Sequence, residues 1–205
     1  MSSDRQRQIL EAAVRVIAHS GVRGLRVEKL SAEAGVSTAL IYYHFGDRAG
    51  LMRKTLEFVN ERAGRYTHEA MEIGKDPRQQ LELLLLLELQ DTPAVRENSA
   101  AWGELRASAV FNPDLREPLS TSTRGWVDDL AAMIRQAQAA GLAAERADPL
   151  DVAERLTALV EGVSERWLSG SMTLERAREL VEGAVIAELG EGSSHAPPDG
   201  SAGPA

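Results

Sequence analysis

The stretch Val27-Glu28-Lys29-Leu30-Ser31-Ala32-Glu33-Ala34-Gly35-Val36-Ser37-Thr38-Ala39-Leu40-Ile41-Tyr42-Tyr43-His44-Phe45 constrains this chain more than any other. Val27, Leu30 and Ala34 fall on one face of a short helix. Gly35 then supplies the positive φ that a sharp turn needs. Ser37 or Thr38 is placed to cap a second short helix that reaches about His44. Leu30, Val36, Ile41 and Phe45 are the apolar residues that would hold the pair on its neighbours. The opposite side of the second helix shows Ser37, Thr38, Ala39, Tyr42, Tyr43 and His44, with no acidic group among them. Hydroxyls and an imidazole can donate to phosphate oxygens or base edges, and Ala39 can touch a thymine methyl.

The rest of the chain reads as helices with clear punctuation. Ile9, Ala12, Ala13, Val16 and Ile17 recur at spacings of three and four, which predicts a helix from Arg5 to His19 ended by Ser20-Gly21. Asp47 is an N-cap for a long helix from Arg48 to Ile73. Gly74-Lys75-Asp76-Pro77 breaks it. Further helices are expected over Pro77 to Gln90, Ala94 to Phe111, Pro118 to Ala140, Pro149 to Trp167, and from the Thr173 cap to Gly190. Strand formers are scarce, so the fold class is all-α, with about nine helices. The division expected is 1–47 for the helix-turn-helix unit, 48–74 for the connecting helix, and 75–190 for a second helical domain. The Gly, Ser, Pro and Ala of 191–205 form a tail expected to be disordered.

The net charge of −8 argues at first against a polyanionic partner. Its distribution reverses that reading. Residues 1–60 hold nine Lys/Arg against six Asp/Glu, whereas residues 61–205 hold fourteen against twenty-five. Arg23, Arg26, Lys29 and Arg48 all flank the Gly35 turn. The absence of cysteine excludes disulfides and thiolate metal sites. His44 has no suitably spaced second ligand, so no metal and no cofactor is expected. The start of the chain is polar, the Leu83–Leu87 run is far too short to cross a bilayer, and no membrane partner is expected. These features fit a cytoplasmic protein. There is no Gly-rich phosphate loop or readable catalytic triad, so an enzyme is not indicated.

The run Gly35-Val36-Ser37-x-x-x-Ile41-Tyr42-x-His44-Phe45-x-Asp47-Arg48-x-x-Leu51 strongly resembles the signature of the TetR family of bacterial transcriptional regulators. The resemblance covers about residues 5–60. The region from Trp102 through Glu117 resembles the BetI-type branch. What this implies is a repressor that binds double-stranded operator DNA as a homodimer and is released by a small-molecule effector. Carried over by position, the DNA contacts would be Arg26, Lys29, Ser37, Thr38, Ala39, Tyr42, Tyr43, His44 and Arg48, with Arg48 on phosphate. Leu40 stands where a small hydroxyl residue is usual, and Arg26 where a Ser or Thr cap is common.

In the second domain, Trp102, Trp126 and Trp167 fall on three different helices. With Leu84, Glu88, Leu105, Arg106, Phe111 and Met133 they form the expected effector pocket. Glu88, Glu104 and Glu161 are carboxylates near apolar positions; solvated faces explain most such residues, and binding a cationic ligand is the lesser reading. Leu156, Leu159, Val160 and Val163, with Leu174, Ala177, Val181 and Ala184, make stripes wider than a surface helix needs. The stripes either close the domain or, as the resemblance favours, pack against a second copy. Gly162, Gly183 and Ala184 would permit close crossing. The acidic total also leaves open a helical protein-binding adaptor, and the fold is compatible with an activator.

Overall fold

The computed structural model describes residues 4–190, apart from the side chains of residues 66 and 67; the expected tail lies outside it. Nine α-helices and no strand are present among the described residues: α1 Asp4–Ser20, α2 Val27–Ala34, α3 Thr38–Phe45, α4 Arg48–Ile73, α5 Pro77–Leu87, α6 Pro93–Ala109, α7 Arg116–Ala139, α8 Pro149–Leu168 and α9 Leu174–Leu189. Single 3-10 turns stand at Val22–Gly24 and Pro113–Leu115.

The boundaries follow from capping chemistry. The side chains of Ser37, Asp47, Asp76, Thr92, Asp148 and Thr173 each accept a backbone N–H from the first turn of the helix they precede. Pro77, Pro93 and Pro149 open α5, α6 and α8, where no N–H is needed. Three expectations shift, the first being that α6 ends at Ala109 rather than Phe111. α5 ends at Leu87 rather than Gln90, so Glu88 is its C-cap. α7 begins two residues before Pro118, because the 3-10 turn anchored by buried Leu115 runs directly into it.

Two apolar cores hold the chain. The first gathers Ile9, Ala13 and Ile17 of α1, Leu30 of α2, Ile41 and Phe45 of α3, and Leu51, Leu56 and Val59 of α4. It does not stop at the helix-turn-helix: Ala101, Leu105 and Ala109 of α6 and Leu115 complete it. Burying a side chain of Leu or Ile size contributes roughly 1.5–3 kcal/mol, so this α1–α6 contact is a structural joint. The second core joins α5, α7, α8 and α9 through Leu81, Leu84, Leu85, Leu130, Ile134, Leu156, Val160, Val181 and Val185.

That packing corrects part of the stripe reading. Leu156, Val160, Val163, Ala177 and Val181 are all buried within the chain and cannot also meet a partner copy. They close the second core. Leu159, Leu174 and Ala184 remain half-buried at its edge. Gly162 and Gly183 do not mediate a crossing inside the chain, since a Cβ at either would meet nothing within 4 Å.

Candidate functional site

The turn between α2 and α3 is built as its sequence requires. Gly35 adopts φ 64° and ψ 35°, the left-handed conformation. Ile41 and Phe45 turn inward, while Tyr42 is 51% and Tyr43 82% exposed. Thr38 and Ala39 are exposed beside them, and His44 is half-buried, its ring edge against Tyr43. A bulky exposed aromatic such as Tyr43 contributes nothing to the fold it sits on. The close seat of α4 against α3 depends on Gly50, where a Cβ would lie 2.1 Å from the Phe45 carbonyl oxygen; no sequence signal marked that role.

The flanking cations do other work as well. Lys29 Nζ donates to Ser20 Oγ at 2.5 Å. Arg48 Nη2 donates to the Val22 carbonyl at 2.8 Å and its Nε to the Leu25 carbonyl at 3.4 Å, so this side chain braces the link between α1 and α2. Ser37 Oγ accepts the Leu40 N–H, which makes it the cap of α3. Arg26 occupies the N-cap of α2 with no side-chain capping bond, and its side chain is exposed.

A cavity of about 640 Å³ lies between α4, α6, α7 and α8, at the seam of the two cores. Trp102 packs on the first core and Trp126 on the second. Glu88, Trp102, Arg106 and Trp126 line the cavity as expected. The other expected residues do not. Leu84, Leu105 and Met133 are buried in the cores because they lie on the inward faces of their helices. Trp167 is buried in the second core under the Arg96 guanidinium, 5.1 Å from the ring centre. Phe111 is 88% exposed just beyond the end of α6.

Many of the residues that line the cavity are polar or charged. Seven carboxyl groups, from Glu57, Glu61, Glu88, Glu117, Asp129, Glu161 and Glu165, line it with one guanidinium, that of Arg106, and Glu57 is paired with the Lys54 ammonium at 2.5 Å. Arg106 Nη2 donates to Glu161 Oε1 and, at 3.1 Å, to Thr123 Oγ1. Trp102 Nε1 donates to the same Glu161 oxygen at 3.2 Å. Burial pushes the Glu161 carboxyl above its ordinary range despite these donors. Burial, reinforced by the negative charge of Glu161, pushes Glu88 up to about 8. Asn98 and Ser164 also line the cavity, and neither Asn98 Oδ1 nor Ser164 Oγ has a hydrogen-bond partner. Sequence reasoning missed both, because a polar residue on a helix reads as surface.

Residues 9–55 match the model of bacterial regulatory proteins of the tetR family, and residues 77–190 match the C-terminal region of BetI-type transcriptional repressors. The chain belongs to the TetR family. It is a DNA-binding transcriptional regulator whose C-terminal half is the ligand-binding part. Among curated relatives it is similar to the HTH-type transcriptional regulator BetI of Burkholderia lata, 25% identical over 84% of each chain. The BetI of Brucella melitensis is also 25% identical, over 90% of this chain and 91% of its own. Among solved structures, a TetR-family transcriptional regulator from Rhodococcus sp. is 46% identical, with a TM-score of 0.85 over 91% of this chain and 99% of that one. A transcriptional regulator from Saccharomonospora viridis in complex with choline is 26% identical, with a TM-score of 0.80 over 92% and 98%. A regulator of this family acts by binding, so neither site calls for a catalytic group.

Proposed function

We propose that this TetR-family regulator is a repressor released from its operator by an organic cation held in the α4–α6–α7–α8 cavity. The observation that carries the effector class is the cavity's acidity: of seven carboxyl groups on its wall, Glu57 is paired with Lys54 and Glu88 holds its proton up to about pH 8, and the remaining five meet one guanidinium, with two indoles among the walls. An apolar or anionic effector would leave that charge uncompensated. Its volume falls within the range of ordinary small-molecule sites, about 300–1,000 Å³. The choline bound by the Saccharomonospora neighbour is itself an organic cation, which supports the reading.

DNA is read by Thr38, Ala39, Tyr42, Tyr43 and His44, with Arg26, Lys29, Ser37 and Arg48 toward phosphate. Two chains pair through α8 and α9, where Ala158, Gly162, Gly183, Ile186 and Ala187 are exposed and Leu159 and Ala184 are half-buried beside them. The pairing sets the two α3 helices about 34–36 Å apart, one turn of B-DNA. Ligand and DNA communicate along α4 and along α6, since α6 carries Trp102 and Arg106 on the cavity and Leu105 in the DNA-binding core. The setting is the bacterial cytoplasm.

The test is selection of an operator from random duplex DNA by the purified chain, followed by titration of the complex with a panel of organic cations, anions and neutral compounds. Salt-sensitive operator binding that cations alone weaken supports the reading. Failure to select any duplex removes the DNA-binding assignment. Release by anions or neutral compounds, with none by cations, removes the effector class.

A further inference from the structure

The buried polar groups on the cavity wall ask for more than positive charge. Asn98 is 3% exposed and Ser164 8% exposed, and the oxygen of each is without a partner. The two helices that carry them run antiparallel: Arg106 meets Glu161, a Cβ at Gly103 would lie 3.1 Å from Glu165 Oε1, and Arg96 covers Trp167. Asn98 of α6 and Ser164 of α8 both line the cavity from these two packed helices. An amide oxygen only accepts hydrogen bonds, and an ionised carboxylate only accepts them. Glu161 is already engaged by Arg106 and Trp102. Glu88 has no basic group acting on it.

The aromatic side of the cavity points the same way. The Arg106 guanidinium sits 5.5 Å from the centre of the Trp102 ring, and the indole N–H of Trp102 is used by Glu161. Cages for fully methylated ammonium groups rely on open aromatic faces, because such a cation has no N–H. Here one indole is already covered by a cation of the protein itself.

We propose that the part of the cavity wall carrying Glu88, Asn98 and Ser164 binds a protonated amine, an ammonium that donates N–H bonds to these acceptors, in preference to a quaternary ammonium. This rests on the reading of the effector as an organic cation and narrows it. An unmet buried acceptor costs more than a bond made there gains, so a cation without N–H leaves Asn98 Oδ1 stranded and an amine satisfies it. The subsite thereby differs in chemistry from one built for choline.

The experiment is isothermal titration of the full chain with two matched pairs that differ only by N-methylation: ethanolamine against choline, and hexamethylenediamine against hexamethonium. The expected result is binding of the amine member of at least one pair about 10- to 100-fold tighter than its methylated partner. Asn98→Leu and Ser164→Ala are titrated in parallel, and each should shrink that ratio several-fold while operator binding stays intact. Equal or tighter binding of the quaternary members overturns the amine preference and leaves the cation reading standing. Binding of no member of either pair by a chain that still binds its operator removes both.

Discussion

The Glu104 carboxylate in α6 accepts the backbone N–H of Val22 at 2.9 Å, across the joint between the ligand-binding and DNA-binding halves. Val22 opens the 3-10 turn whose carbonyls Arg48 holds from the other side. Gly21, at φ 66°, passes so close that a Cβ there would stand 2.8 Å from Glu104 Oε2. The α1–α2 link is therefore gripped by one anion from α6 and one cation from α4, the two helices that also wall the cavity.

Glu104→Leu removes this grip. Unfolding free energy should fall by about 1–2 kcal/mol, less than a fully buried charged hydrogen bond because the site is partly open to water. The factor by which a bound effector changes operator affinity should shrink several-fold. Chemical denaturation and operator titration with and without effector check both. Gly21→Ala combined with Glu104→Leu should be less harmful than the sum of the single changes, since the clash requires both groups. Simple additivity would show that the two do not interact.

Tyr43 and Arg48 separate reading from folding. Tyr43→Ala should weaken operator binding at least ~10-fold with no change in Tm. Arg48→Ala should weaken it too, and also cost about 1–2 kcal/mol of stability through the lost bonds to the Val22 and Leu25 carbonyls. Fluorescence anisotropy on operator DNA and thermal unfolding distinguish the two patterns.

The helix boundaries were legible because punctuation is local chemistry. Asp47 capping α4 and Gly35 closing α2 act within one turn of themselves, so their neighbours in sequence suffice to read them. The cavity was only half legible, for a reason visible in α6. That helix buries Ala101, Leu105 and Ala109 against α1 and turns Asn98, Trp102 and Arg106 to the cavity. Periodicity shows that a helix has an inward face without saying which neighbour it meets. Leu105 thus looked like a wall of the pocket and is core, while the pattern singled out neither Asn98 nor Ser164, and both are wall. The same ambiguity placed Leu156, Val163 and Val181 at a partner when they close their own chain.

Stability of the unliganded chain should decline as pH rises from about 4.5 to about 8. Glu88 is protonated in the folded chain through this window and ionised in the unfolded one. The folded state therefore holds the extra proton, and its advantage is complete below 4.5 and lost above 8. The groups around it on the cavity wall are Glu57 and Glu61 of α4, Arg106 of α6, Glu117 and Asp129 of α7, and Glu161 and Glu165 of α8. Glu88→Gln should flatten the decline and raise Tm at alkaline pH. In the wild type, affinity for a cation should climb by up to ~10-fold per pH unit on approaching about 8 from below, because binding expels the Glu88 proton. Thermal shift and titration across pH check these slopes.

Gly162→Glu and Gly183→Glu should give folded monomers. Both glycines are exposed on α8 and α9 with open space where a Cβ would point, and Glu is the better helix former by several tenths of a kcal/mol. The fold therefore gains slightly while a surface meant to meet its copy acquires like charges. Val163→Glu, one residue from Gly162 but inside the core, should instead fail to fold. Light scattering after size-exclusion chromatography, with circular dichroism, tells these outcomes apart.

The cavity at the seam of two separate cores has a further consequence for how such a protein changes over time. Glu57, Asn60, Glu61, Ser99, Thr121, Ser122 and Asp129 line it without belonging to either core. Replacing them alters what the pocket accepts while disturbing little of what keeps the chain folded. A gene duplicate can therefore acquire a new chemical signal through point changes at these positions. By the same route, a designer seeking a biosensor can randomise them while leaving the DNA-reading half as it stands.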